Sequence, residues 1–274
     1  GTIFYWLTDH YGLDNAARIL RTFTLFTVCC IASAMLNYRR FPVFASTALV
    51  LIVSGLQYRY FLRPELLDYI FVAAAFYLYY QALSGITNAK FFQICLLLLL
   101  WNNYHVSILG YVIFFGLYSQ LFIESLYERE AQRWIARHLP QGVLLVVLGF
   151  ANPDLTHPVV SAVSFSGEWS SYIAEHVPFN TRFNFDNDAS VYFLWPLSLL
   201  VTLICLRTGH LGAALVLLIF AFSAWERVRM LSFLAEVLGF SLAMSALPRP
   251  LSSATGPAAK LPQWLLCSSL VLVM

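Results

Sequence analysis

The stretch Phe91-Phe92-Gln93-Ile94-Cys95-Leu96-Leu97-Leu98-Leu99-Leu100-Trp101, the polar break Asn102-Asn103-Tyr104-His105 and the second apolar run Val106–Phe122 decide the class of this protein. A helix that crosses a bilayer needs about 20 predominantly apolar residues. Neither run is comfortably long alone, yet together they hold almost no charge. A polar break between short apolar helices lies below a membrane surface only where it lines a cavity, because lipid offers its backbone no hydrogen bonds. Asn103 and His105 are then placed to hydrogen-bond a substrate or a phosphate. The competing description is a tight interfacial turn flanked by Trp101 and Tyr104.

Working outward, the rest of the chain reads the same way. Of its 274 residues 60% are hydrophobic and 11% charged, where a soluble domain carries about 25% charged residues. Mean hydropathy is +0.72. Apolar runs recur at Ala16–Leu36, Phe41–Leu56, Glu65–Ile86, Gly142–Ala151, Ala189–Leu206, Leu211–Trp225, Met230–Leu247 and from Trp264. The expected fold is all-α: a polytopic transmembrane helix bundle of about nine or ten spans or half-spans, forming one integral-membrane domain over residues 1–274 with a long outer loop at 152–188. A net charge of +2 excludes a surface built to hold a nucleic-acid backbone. The cysteines Cys29, Cys30, Cys95, Cys205 and Cys267 lie inside apolar runs without ligand spacing, so neither a disulfide framework nor a metal site is expected. The start at Gly1 lacks the pattern of a signal peptide, and the last residues stop inside an apolar run; the expectation is a fragment cut at both ends.

If each run crosses once, the turns at 37–41, 84–90, 123–141, 207–210 and 248–263 share a side. They hold Arg39, Arg40, Lys90, Arg129, Arg133, Arg137, Arg207, Arg249 and Lys260 against Glu124, Glu128 and Glu130. The turns at 57–68, 102–105, 152–188 and 226–229 carry more acids than arginines. Positive charge marks the cytoplasmic side, so the second set is expected outside. The stretch 124–140 is amphipathic and reads as an interfacial helix with Trp134 at headgroup level, or as a partner-docking helix.

The outward set holds the polar residues that a plain turn explains least, and ionisable groups near membrane depth are functional by default. Arg59 and Arg63 suit a lipid-linked phosphate, since guanidinium binds it bidentately and stays charged; snorkelling to the interface is the alternative. Pro64 fits a helix start, and Glu65 and Asp68 fit its first turn, where the dipole favours acids. Glu226-Arg227-Val228-Arg229 leads into the run that carries Glu236, so Arg227 or Arg229 could supply a second cation, or act only as a juxtamembrane anchor. The segment 152–188 is longer than ordinary connections, which favours a lid or binding loop; its acids and histidines, Glu175 among them, suit acid–base work or simply solvate the loop.

In this order, Arg63-Pro64-Glu65, Trp101-Asn102-Asn103-Tyr104-His105-Val106-Ser107, Asn152-Pro153, Ile173-Ala174-Glu175-His176-Val177-Pro178 and Arg229-Met230-Leu231-Ser232-Phe233-Leu234-Ala235 resemble a bacterial family of polytopic membrane proteins similar to GT-C glycosyltransferases. The likeness spans about residues 10–240. It implies transfer of a sugar from a polyprenyl-phosphate donor to a lipid or glycan acceptor, on the outer face of a bacterial cytoplasmic membrane. For an enzyme of this kind Arg59, Arg63, Arg227 and Arg229 are the candidates to hold the phosphate, Asn103 and His105 to position it, and Glu175 is the catalytic candidate among the acids present. The expected partners are membrane lipid and the lipid-linked sugar; no cofactor is implied. Two positions depart from the pattern: Asp154-Leu155 stands where the family has Tyr-Gly, and Val106 where it has Gly. The family's first outer loop, which carries the catalytic acid, lies before the segment matched here, so the expectation is either a base upstream of Gly1 or a chain that is not an active transferase. A transporter or flippase for an amphipathic or anionic substrate, which would share the polar break and the buried charges, and a non-catalytic membrane subunit are the rival expectations.

Overall fold

The computed structural model describes residues 8–36, 41–58, 64–104, 107–152, 155 and 191–246. Among them every regular element is helical: α1 (Leu13–Met35), α2 (Pro42–Tyr58), α3 (Asp68–Ala82), α4 (Asn88–Tyr104), α5 (Ile108–Tyr127), α6 (Ala131–Leu148), α7 (Leu194–Thr208), α8 (Leu211–Glu226) and α9 (Leu231–Ser245). Short 3₁₀ turns, Pro64–Leu67 and Val228–Met230, lead into α3 and α9.

Local sequence explains the stops. Gly209 takes φ 81° after α7, a left-handed cap that glycine adopts without strain; the His210 N–H then returns to the Cys205 carbonyl at 2.7 Å. After α3, Gly85 turns the chain at φ 114°. There the Lys90 ammonium donates to the carbonyls of Gln81 at 2.7 Å and Gly85 at 3.1 Å and to the Ser84 hydroxyl at 3.0 Å. Lys90 therefore satisfies carbonyls that the helix end leaves open.

The core is one cluster organised around α9, all fifteen of whose residues are buried. Helices α1, α2, α3, α7 and α8 surround it. The α2–α9 crossing is built on small residues. A Cβ placed on Gly55 would lie 2.6 Å from the Ser232 carbonyl oxygen, and one on Gly239 would lie 2.6 Å from that of Ala48. The two helices therefore run antiparallel with their backbones in contact. Ring stacking sets α3 against α9: Tyr69 on Phe233 at 4.7 Å and Phe76 on Phe240 at 5.3 Å. The equal sequence offset of these two pairs makes α3 and α9 parallel and in register.

Such contacts fix the direction of every helix. Helices α1, α3, α5, α7 and α9 run from the end that holds Asp68 to the end that holds Lys90, and α2, α4, α6 and α8 run back. Lys90, Arg133 and Arg137 line one cleft at the Lys90 end. Asn102 and Asn103 of α4 reach the end of α6 at the other, where Trp195 at the start of α7 also meets Trp225 near the end of α8, 5.4 Å apart.

Several sequence boundaries move. The polar residues Trp101–Tyr104 form the last turn of α4, so the expected break contracts toward residues 105–107, of which 105 and 106 lie outside the described residues. The expected interfacial helix over 124–140 is not one element: α5 continues to Tyr127, and α6 joins the amphipathic stretch to the following apolar run in one helix through Pro140. The helix runs on through Pro140 although that residue has no N–H to donate and drops one rung of the ladder there. Two helices, Leu13–Met35 and Ile108–Tyr127, are long and apolar enough by themselves to cross a membrane, and Pro42–Gly55, Leu194–Thr208, Leu211–Glu226 and Leu231–Ser245 are shorter apolar helices.

Candidate functional site

At the Asp68 end, the first residue of α3 is an acid that is 1% exposed. The Trp101 indole N–H donates to Asp68 Oδ1 at 2.8 Å, and Phe71 stacks on the Trp101 ring at 5.2 Å. Room for that ring comes from α5: a Cβ on Gly110 would stand 2.8 Å from two Trp101 ring atoms. The first turn of α3 favours the carboxylate through the helix dipole, and the indole supplies a neutral donor where water is excluded. Trp101 thus does more than mark an interface; it ties α4 to the start of α3.

The neighbouring asparagines tie α4 to α6. Asn102 Nδ2 donates to the Leu148 carbonyl at 2.8 Å and to Tyr111 Oη at 3.3 Å, and its Oδ1 accepts from the Ser107 hydroxyl. Asn103 Nδ2 donates to the carbonyls of Leu99 at 2.8 Å and Ala151 at 2.9 Å. Both amide nitrogens thus satisfy carbonyls at helix ends. Asn103 is exposed, and with both hydrogens of its amide nitrogen engaged by these carbonyls, the capacity left to it is that of the Oδ1 acceptor.

Arg227 ends α8 in extended geometry (φ −144°, ψ 110°) and is half-buried. It opens the 3₁₀ turn that carries Arg229, whose backbone alone is described. Because Phe233 stacks on Tyr69, this turn and the turn Pro64–Leu67 feed two parallel, touching helices. The structure thus brings the Arg227–Arg229 segment beside the start of α3, with Asn102 and Asn103 at the same end of the bundle. Arg59, Arg63, His105 and Glu175 lie outside the described residues, as do almost all of the loop 152–188, the arginines Arg39 and Arg249 and the run from Trp264.

Two features went unassigned in the sequence. Glu236, in the middle of α9, is 0% exposed, and neither carboxylate oxygen has a hydrogen-bond partner among the described residues. On α1 the buried face Ala16, Thr24, Val28, Ala32, Met35 also includes Arg21 by helical spacing, and Arg21 Nε is shielded from solvent. A charge inside an otherwise apolar run was the available signal for both.

A cleft of about 720 Å³ opens at the Lys90 end, lined by Lys90, Glu124, Glu128, Arg133, Arg137 and His138 among others. Its charges are mixed, Lys90 is engaged as the α3 cap, and Arg133 pairs with Glu130 at 3.2 Å in full exposure, a contact worth little. It stands at the opposite end from the sequence candidates. Among the described residues no three His, Cys, Asp or Glu side chains gather as a metal site. No family model, curated protein or solved structure matches the chain.

Proposed function

We propose that this chain is a polytopic integral-membrane protein that handles a lipid-linked anionic substrate at the Asp68 end, as a GT-C-like glycosyltransferase drawing on a polyprenyl-phosphate sugar. The observation that carries the reading is the two-sided construction. Strictly alternating helices collect Asp68, Trp101, Asn102, Asn103 and Arg227 at one end, while the lateral surface exposes apolar side chains such as Phe23, Phe26, Phe92, Phe115, Val147 and Phe222. Water-exposed phenylalanines on so many helices suit a lipid environment. Close backbone approach at Gly55, Gly116, Gly212 and Gly239 is the packing that helices use where lipid replaces the hydrophobic drive. With their 3₁₀ turns, α3 and α9 reach about 30 Å and 28 Å at the usual rises per residue, which meets the thickness of a bilayer core.

In this reading Arg59, Arg63, Arg227 and Arg229 hold the phosphate. Such contacts strengthen as the leaving phosphate gains charge and so favour the transition state. His105 positions the substrate and Glu175 serves as the acid. The test is sugar transfer from polyprenyl-phosphate donors in proteoliposomes of the full-length protein. Arg63→Lys keeps the charge but loses the fork and is expected to lower turnover by about ten- to a hundredfold, or roughly 1.4–2.8 kcal/mol. Arg63→Ala is expected to lower it further and Arg39→Ala to leave it unchanged. Equal activity of all three removes Arg63 from the site.

A second reading, a transporter of an amphipathic or anionic substrate, is favoured by one observation: Glu236, a buried acid inside the central helix with no hydrogen-bond partner among the described residues. Uptake of a labelled lipid phosphate into the same vesicles, without transfer of sugar, would select it.

A further inference from the structure

Glu236 is the least explained group in the described structure. It sits on α9 between two packed faces. Ser232, Ala235 and Gly239 meet α2, where a Cβ on Gly55 would come within 3.2 Å of the Glu236 backbone nitrogen. Phe233 and Phe240 meet α3. By helical spacing Glu236 falls between these faces and points into the seam that α2 and α3 leave, and α1 packs against all three helices there. The buried face of α1 also carries Thr24, 1% exposed and with its hydroxyl unpartnered among the described residues. Asp68 is close enough for its charge to act on Glu236. The Tyr69–Phe233 register places Asp68 about one turn nearer the end of the bundle.

An ionised carboxylate in such a seam would face a cost of several kcal/mol. Among the described residues no hydrogen bond to either Glu236 oxygen relieves it. α2 has no Lys, Arg, Asp or Glu; α3 offers Asp68 and Tyr69; α7 offers the Cys205 thiol; α8 ends in Glu226; and Arg227 and Arg229 belong to the turn before α9. Arg21 lies on the buried face of α1, toward the same end as Asp68. Neither carboxylate oxygen accepts a hydrogen bond among the described residues, and an acid so placed, with a second acid between it and the bundle end, suits exchange of a proton.

We propose that the seam between α1, α2, α3 and α9 is a proton-binding site, with Glu236 as the carrier and Asp68 as the group through which the proton comes and goes. The inference rests on the membrane reading and deepens its transport branch, since binding and releasing a proton inside the bundle is what coupling to a proton gradient requires.

A hydrophobic carbodiimide tests it in the full-length protein reconstituted in lipid vesicles. The protonated carboxyl adds across the reagent, its proton passing to nitrogen and its oxygen to the central carbon; the carboxylate does not react. Mass spectrometry, with the labelling run at a series of pH values from about 5 to about 9, is expected to find Glu236 modified and the labelling to fall as the pH rises. Glu236→Gln, nearly the same in shape, should abolish the label. Asp68→Asn, which removes a neighbouring negative charge, should move the fall in labelling to lower pH. Labelling that does not change across that range would make Glu236 a permanently neutral structural acid, and absence of labelling in folded vesicles with labelling after detergent denaturation would show that no proton reaches it; either result overturns the proposal. An alkaline carbonate wash of the same membranes keeps the outcomes apart. Release of the chain refutes the membrane reading itself, whereas retention with no pH-dependent label refutes this site alone.

Discussion

Replacing Gly212 by alanine tests the packing most directly. The α5–α8 crossing has no side chain between the two backbones: a Cβ on Gly212 would overlap the Gly116 carbonyl oxygen and the Tyr79 hydroxyl, and one on Gly116 would stand 2.7 Å from the Gly212 oxygen. Part of the obstacle is peptide backbone, so no rotamer change relieves it; the helices must separate. A gap of about 0.5–1 Å forfeits a quarter to a half of the dispersion between facing atoms. The same spot holds a buried polar pivot. Gln120 Oε1 accepts from Tyr79 Oη at 2.8 Å and from the Gly212 N–H at 3.3 Å. Overpacking costs about 1–3 kcal/mol, and loosening a buried hydrogen bond adds about 1 kcal/mol. The expected loss is therefore about 2–4 kcal/mol, a fall in melting temperature of roughly 5–10 °C at the scaling for chains of this size. The assay is loss of monodisperse protein on heating in detergent. Gly142→Ala is the control, because nothing lies within 4 Å of a Cβ there and alanine suits a helix interior better than glycine by about 0.5–1 kcal/mol. If Gly212→Ala melts with the wild type, the two helices do not touch through their backbones.

Three further outcomes are expected. Gly110→Ala drives a methyl group into Trp101, so it should shift tryptophan emission to the red and destabilise by about 1–3 kcal/mol, with Trp101→Phe in the same background largely non-additive; additive losses would mean the ring does not occupy that slot. Lys90→Met retains the stem of the side chain but uncaps α3, and should cost about 1 kcal/mol in a detergent melt, whereas no change would show that water satisfies those carbonyls equally well. Single cysteines at Asn103 and at Arg133 in a background without native cysteines should label from opposite sides of sealed vesicles; labelling from one side would break the alternation of helix directions.

How much of this was legible in the sequence varied with the kind of information each element needs. The helical class followed from apolar runs that leave no alternation for strands, and the alternation of helix directions followed from counting each run once, as Asn102, Asn103 and Arg227 at one end and Lys90 and Arg133 at the other illustrate. Boundaries were less legible where polar residues continue a helix. Trp101–Tyr104 looked like a break because polarity was the only signal, yet their polar atoms are absorbed by Asp68, Leu148 and Ala151, partners remote in the chain. The first half of α6 looked like a separate interfacial helix because its composition changes at Pro140, although the helix does not stop there.

The sequence alone determined that this is a helical chain with too little charge to solvate its surface as a soluble domain does, because composition and runs are local properties. Only the tertiary structure decided which helix is central, that Asn103 directs its amide to a helix end and that Glu236 is a buried acid with no hydrogen-bond partner among the described residues. Burial and hydrogen-bond partners are properties of packed pairs. Gly55 with Ser232 and Tyr69 with Phe233 are separated by more than half the chain, and no spacing within a single run announces such meetings.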